Sequence, residues 1–196
     1  MNELPQSWRM FIAIASPPEL KEALKRTQQS LRVPMGASGI RWTSQEQFHL
    51  TLRFLGNVES STVESLSTIL REACRGFGPL RLQAKGVGFF PSARRPHVIW
   101  AGVSDNNGRL PELHGAIANA TARFGEQEPE NDFHGHITLG RVKHLSRREE
   151  AALVKVAQQF ADTAFAEWKV DKLHLIRSEL SSSGPTYTTI AEPSLL

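Results

Sequence analysis

His49-Leu50-Thr51-Leu52 and His136-Ile137-Thr138-Leu139 are one pattern written twice: a histidine, an apolar residue, a threonine and a second apolar residue. Side chains alternate faces along an extended strand, so each histidine shares a face with its threonine while the apolar pair points the other way. A strand packed on a core shows varied polar residues outward, and the same imidazole and hydroxyl twice over therefore calls for a reason. One copy alone carries little weight, since His and Thr are ordinary residues on a half-exposed strand. The flanks strengthen the repeat: Phe48 precedes the first copy, Arg53-Phe54-Leu55-Gly56 follows it, and Gly140-Arg141 follows the second. We read two half-sites facing one cleft.

Working outward, Trp8 to Ala15 reads as a buried strand ended by Ser16-Pro17-Pro18. Ser16 and Glu19 have capping-box spacing, and Leu20, Ala23, Leu24 and Leu31 carry a helix to about Leu31. Pro34 to Gly39 reads as a loop, Ile40 to Thr43 as a short strand and Phe48 to Leu55 as the first motif strand. Ser61 and Glu64 suggest a second capping box, before a helix stopped by Gly76 to Pro79. Leu80 to Phe89 and His97 to Val103 read as strands joined by the loop Pro91 to Pro96. A turn at Asp105 to Gly108 and a helix from Leu110 to Phe124, ended by Gly125, come next. The acidic loop Glu126 to Asp132 delivers the second motif strand, His136 to Val142. Ser146 and Glu149 form a third capping box, for a helix with Leu153, Val156, Ala157 and Phe160 on one face. Two strands close the chain, Trp168 to Arg177 and Thr186 to Ala191, around a turn at Ser181 to Pro185. Strand, helix, motif strand, helix thus occurs twice. That order predicts an internally duplicated α+β domain spanning 1–196, with two pseudo-symmetric lobes.

Composition narrows the function classes. With 196 residues, 40% of them hydrophobic, the chain can bury one core. No stretch approaches the roughly twenty apolar residues that span a bilayer, and Met10 to Ala15 is too short an apolar run for a signal peptide. The lone Cys74 allows no internal disulfide and reads as packing in a reducing, cytoplasmic setting. A net charge of +3 with a pI near 9.3 suits an anionic substrate without the dense basic runs that grip a long duplex. Small or single-stranded nucleic acid fits best.

Arg41-Trp42, then Phe48 to Gly56 and His136 to Arg141, resemble the 2H phosphoesterases, and most closely the RNA 2′,3′-cyclic phosphodiesterases historically called 2′-5′ RNA ligases. Trp8 to Ile14, Phe89-Phe90-Pro91 with Pro96 to Trp100, and Gly184 to Tyr187 extend the likeness over nearly the whole chain. The family often has proline before the second histidine, where this chain has His134-Gly135. The resemblance implies two antiparallel sheets facing a central cleft with helices outside. It implies hydrolysis of RNA 2′,3′-cyclic ends to 2′-phosphates, with His49 donating a proton to the 3′ oxygen and His136 accepting one from water. The substrate would be single-stranded or tRNA-derived RNA, the protein a monomer.

The residues suit that chemistry. Imidazole, with a pKa of about 6.5, serves as acid or base near neutrality, and two histidines on opposite sides of phosphorus suit in-line displacement. Symmetric motifs leave the swapped assignment of acid and base open. Thr51 and Thr138 would donate to the non-bridging oxygens. Arg141 and Arg53 invite phosphate binding, and Phe48 and Trp42 base stacking, though core packing is the commoner fate of such aromatics. Arg94, Arg95, Arg177 and Tyr187 are further contacts with RNA to test. The scheme requires neither cofactor nor metal. His134-x-His136 has no third ligand at a convincing spacing, and His97, His114, His144 and His174 read as structural or solvated. Lys169-Val170-Asp171-Lys172 lacks the glycine of the nucleotidyl-lysine motif of ATP-dependent ligases, so any ligation would be ATP-free reversal of hydrolysis. Competing readings are a phosphodiesterase for 2′,5′-linked oligonucleotides or small cyclic nucleotides, and a non-catalytic RNA-end binder.

Overall fold

The computed structural model describes residues 6–33, 39–126, 133–182 and 184–195. Residues 34–38 and 127–132 of the two expected loops, and residue 183 of the last turn, lie outside them. The first half runs β1 (Ser7–Ala15), α1 (Pro18–Arg32), β2 (Ile40–Trp42), β3 (His49–Glu59) and α2 (Val63–Cys74). The second runs β4 (Leu80–Ser92), β5 (Arg95–Asp105), α3 (Arg109–Ala120), β6 (His136–Val142), α4 (Arg147–Gln158) and β7 (Ala164–Val170). β8 (His174–Ser181) and β9 (Gly184–Ala191) follow.

All strand pairs are antiparallel, in the order β7-β4-β5-β6-β3-β1-β8-β9 with β2 also on β6. The ladder is continuous only in a formal sense. Between β3 and β6 it consists of the single pair Leu50↔Ile137. Two four-stranded sheets, β3-β1-β8-β9 and β6-β5-β4-β7, are therefore hinged at the apolar residue inside each motif. From there the edge of β6 passes to β2, through Trp42↔Gly140, Arg41↔Arg141 and Ile40↔Val142.

The lobes correspond element by element, β1-α1-β3-α2 against β5-α3-β6-α4, as the repeated grammar predicts. The helices nonetheless cross between them: α1 packs on α4 and β7, while α3 packs on α2 and β3. Alternation explains β1, where Met10, Ile12 and Ile14 enter the core and Phe11 lies on the cleft side against His49. Leu20, Leu24 and Leu31 of α1 and Leu66 and Leu70 of α2 are fully buried by the same logic at helical spacing. Cys74 is buried as expected, and burial pushes its thiol up to about 12.

Several expectations need correction. Trp168 to Arg177 is two strands: β7 pairs with β4, the chain crosses at Asp171-Lys172-Leu173, and β8 pairs with β1. The crossing is pinned by the C-terminal segment, where Leu173 N donates to Pro193 O and Leu195 N to Asp171 O. Only one of three capping boxes forms, Ser146 with Glu149. Pro18 drives Pro17 into extended backbone, so the helix begins at Pro18 with Pro17, not Ser16, as its N-cap. A 3₁₀ turn at Ser60–Thr62 likewise displaces Ser61 from the cap of α2. The helix expected to reach Phe124 stops at Ala120, where Thr121 donates its hydroxyl to Ile117 O at 2.6 Å. β4 and β5 run longer than expected, leaving a two-residue turn at Ala93-Arg94.

Candidate active site

His49, Thr51, His136 and Thr138 all line one cleft of about 660 Å³ between the sheets. Beyond each motif the alternation is broken at the same place. On β3 the β1 partners step from Ala13↔Thr51 to Ile12↔Arg53, skipping Leu52. On β6 the β5 partners step from Trp100↔Thr138 to Ile99↔Gly140, skipping Leu139. A bulge of this kind inserts one residue and reverses the parity of the strand beyond it. Arg53 therefore corresponds to Gly140, and both are buried; Phe54 corresponds to Arg141, and both are exposed in the cleft. The arginines that look equivalent in sequence are not equivalent in space.

Arg53 does line the cleft, but little of it is exposed there. Its side chain, only 4% exposed, donates from Nη1 to Ala118 O at 2.8 Å and Thr121 Oγ1 at 2.7 Å, tying β3 to the end of α3. Phe48 is likewise no base-stacking platform: its parity sets it opposite His49, and at 1% exposure it belongs to the core. Trp42 lines the cleft with the Arg32 guanidinium 5.1 Å from its ring centre. Arg141 and Tyr187 also line it. Arg177 does not; it pairs with Glu179 at 2.8 Å and lies over Trp8. Arg94 and Arg95 are exposed at the β4–β5 turn. His114 is buried against Phe133, and His174 lies 3.3 Å from Glu192. Phe54, Phe11, Arg9 and Arg41 are cleft residues that the strand reading does not single out. The missing signal is the bulge for Phe54 and the strand register for Arg41.

The ring of the second motif is anchored from the backbone. His136 Nδ1 lies 2.7 Å from the carbonyl of His134. A carbonyl only accepts, so Nδ1 carries the proton and a neutral His136 presents its lone pair at Nε2. The backbone of Gln47, again two residues upstream, favours the protonated form of His49. Gly135 makes the His136 anchor sterically feasible: a Cβ there would lie 2.4 Å from Val103 O, the strand partner whose N–H donates to Gly135 O at 2.8 Å.

The surroundings of the two rings differ. His49 stacks on Phe11 at 4.9 Å and meets the edge of Tyr187 at 5.6 Å. Burial lowers its pKa to about 4, opposed by the Gln47 bond and assisted by the positive charge of Lys21 and by His136. His49 is thus neutral near pH 7 when no anion is bound. Tyr187 is raised by burial, against the pull of Arg141, Arg9 and Arg41, and its phenol remains a donor. His136 touches the edge of Phe90 at 4.9 Å, and His134 stands against Phe90 and Trp100. Among the described residues no group of three or more His, Cys, Asp and Glu side chains converges to hold a metal ion.

Two imidazole–hydroxyl pairs line one cleft with Arg9, Arg41 and Arg141, the kinds of group that acid–base chemistry on an anionic substrate uses. The chain belongs to the LigT like Phosphoesterase family, whose model matches residues 14–100 and 102–187. It is 32% identical to the RNA 2′,3′-cyclic phosphodiesterase of Thermotoga maritima, over 94% of each chain. It is 30% identical to that of Aquifex aeolicus, over 94% of this chain and 95% of the other. Among solved structures it is similar to TT0787 of Thermus thermophilus, with a TM-score of 0.78 at 28% identity over 95% and 97% of the two chains. The fold also matches Escherichia coli LigT complexed with 3′-AMP, with a TM-score of 0.74 at 23% identity over 96% and 98%.

Proposed function

We propose that this protein opens 2′,3′-cyclic phosphodiester ends of RNA to 2′-phosphomonoesters, within a single two-lobed domain. The observation that carries the reading is the placing of two imidazole–hydroxyl pairs, His49 with Thr51 and His136 with Thr138, along one cleft on the two strands that meet at Leu50↔Ile137. Names of curated relatives over most of the chain support the substrate. In the reaction a water oxygen bonds to phosphorus as the P–O3′ bond breaks. His136 Nε2 takes the water's proton, and His49 delivers one to O3′. His49 is neutral in the free protein, so in this scheme it gains its proton as the anionic phosphate binds. Thr51 and Thr138 donate to the non-bridging oxygens as negative charge grows there.

With a 5′-hydroxyl in place of water as the nucleophile on the same 2′,3′-cyclic end, the same proton transfers and the same P–O3′ cleavage give ATP-independent 2′-5′ ligation. The working form is a cytoplasmic monomer acting on single-stranded or tRNA-derived ends; no helix among the described residues is long and apolar enough to cross a membrane.

The test is hydrolysis of a short RNA with a 2′,3′-cyclic phosphate, in excess EDTA, by the intact protein and by His49→Ala and His136→Ala. A 2′-phosphate product from the intact protein and a loss of about 10²- to 10⁴-fold in each variant are expected. Binding without turnover by the intact protein would refute the enzyme, and EDTA sensitivity would refute the two-histidine scheme.

A further inference from the structure

Glu126 is the only described carboxylate residue among those that line the cleft. A carboxylate repels the phosphates that the neighbouring arginines attract, so its place there calls for a reason. Two backbone contacts fix it. Glu126 N donates to Leu55 O at 2.9 Å, and Gly125, at φ 77°, comes so near β3 that a Cβ would lie 2.0 Å from the same oxygen. The side chain is held as well: Asn57 Nδ2 donates to Glu126 Oε2 at 3.1 Å. Arg9 stands opposite Asn57 in the β1–β3 ladder, yet among the described residues no ion pair joins it to Glu126.

An open aromatic ring precedes this pair on β3. Phe11 stacks on His49 at 4.9 Å and meets Phe54 at 6.0 Å, so Phe54 stands one ring beyond the first motif histidine. A nucleobase is likewise one ring, the ribose, removed from its cyclic phosphate. Phe54 is 45% exposed, and Gly56 and Asn57, which follow it on β3, also line the cleft. Unpaired bases are commonly held in this way, by a stacking face and by hydrogen bonds to the Watson–Crick edge.

Which base fits follows from what Glu126 can do. A carboxylate only accepts hydrogen bonds, and with one lone pair of Oε2 taken by Asn57, the rest of the carboxylate and the Asn57 side-chain carbonyl remain as acceptors. Among the four bases, guanine alone presents two adjacent donors on its Watson–Crick edge, N1–H and the N2 amine. Adenine and cytosine present one amine beside an acceptor, and uracil one N–H between two acceptors. We propose that Phe54 carries the base of the cyclic terminal nucleotide and that Glu126, steadied by Asn57, accepts from its edge, so that the protein selects ends in guanine. This rests on the reading of the cleft as an RNA-end site and narrows the substrate within it.

The test compares the 2′,3′-cyclic phosphates of guanosine, adenosine and inosine. Adenine stacks as guanine does, and inosine lacks only the N2 amine, so the three separate reading of the edge from stacking. In the intact protein guanosine should exceed adenosine in kcat/KM by about tenfold, chiefly through KM, the worth of one further hydrogen bond to a charged group. Inosine should fall short of guanosine by a similar factor. Glu126→Gln, at an exposed position, should leave the thermal midpoint in place and bring the guanosine-to-adenosine ratio toward one. A ratio near one in the intact protein overturns the proposal, as does a ratio unchanged in Glu126→Gln or an inosine substrate that matches guanosine. Calorimetric binding of guanosine and adenosine 2′-monophosphates judges the same ratio without turnover. A protein that binds the guanosine compound tenfold better but opens neither these cyclic phosphates nor the cyclic-ended RNA keeps the base reading and loses the hydrolase.

Discussion

Protonating His49 should unfold the protein more readily than protonating an exposed histidine, and the size of the effect follows from its enclosure. Burial against Phe11 and Tyr187 lowers its pKa from 6.5 to about 4. Between those values the unfolded chain binds a proton that the folded one refuses, so stability must fall as pH falls. The contribution is complete above about pH 6.5 and is lost progressively toward pH 4. Going from about pH 7.5 to about pH 5, linkage gives a loss of up to about 2 kcal/mol, an upper bound because one edge of the ring opens on the cleft. The diagnostic perturbation is His49→Gln, which keeps a polar group and removes the titration. It changes stability by a fixed amount from lost packing, and only the pH-dependent part bears on the argument. Urea unfolding of both proteins across that interval should show the intact protein losing about 2 kcal/mol relative to the variant, every other titrating group being common to both. A gap that stays constant within about 0.5 kcal/mol would refute the claim that burial holds this imidazole neutral.

Other consequences are as specific. Phe54→Ala should raise KM for RNA ends by about tenfold, the size of one lost base–aromatic stack; since Phe54 is 45% exposed, the thermal midpoint should barely move, and an unchanged KM would remove Phe54 from the substrate path. Arg53→Met strands the Ala118 carbonyl in the interior and leaves the Thr121 hydroxyl only its bond to Ile117 O, and should cost about 1–3 kcal/mol in urea unfolding; an effect on KM with stability unchanged would favour phosphate binding by Arg53. Gly135→Ala forces a Cβ toward Val103 O and shifts the carbonyl that orients His136, so kcat should fall more than KM rises. Equal losses in both would place the damage elsewhere.

What could be read from the residues tracks how local the determining physics is. The cleft faces of His49, Thr51, His136 and Thr138 follow from a two-residue period and need nothing else. The double strand-helix-strand-helix order is also local, carried by apolar spacing. Arg53 escapes such a reading because a bulge depends on how β1 pairs with β3, and Leu52-Arg53 has no composition that announces it. Phe54 escapes it for the same reason. Trp168 to Arg177 reads as one strand, yet its halves serve different sheets because the chain crosses between lobes where residues 193–195 hold it. Arg41 sits on a three-residue strand whose meaning lies wholly in its register with β6.

The duplicated fold meets a chemical requirement that duplication alone cannot satisfy. In-line displacement needs two groups of similar kind, which a repeated strand supplies, but it needs them in different protonation states. The bulges supply the same parity change on both strands, and the sequence then places Phe54 on one side and Arg141 on the other. Around His49 the outcome is an enclosure by Phe11 and Tyr187 that disfavours charge until an anion arrives. Around His136 it is an aromatic wall with an arginine further along the strand. In the proposed mechanism an incoming phosphate does more than bind: its charge compensates the cost of protonating His49, while the Nδ1–H of His136, held by the His134 carbonyl, leaves the lone pair on Nε2. On that reading acid and base are separated by surroundings rather than by residue type, and a symmetric pair of motifs acquires a direction.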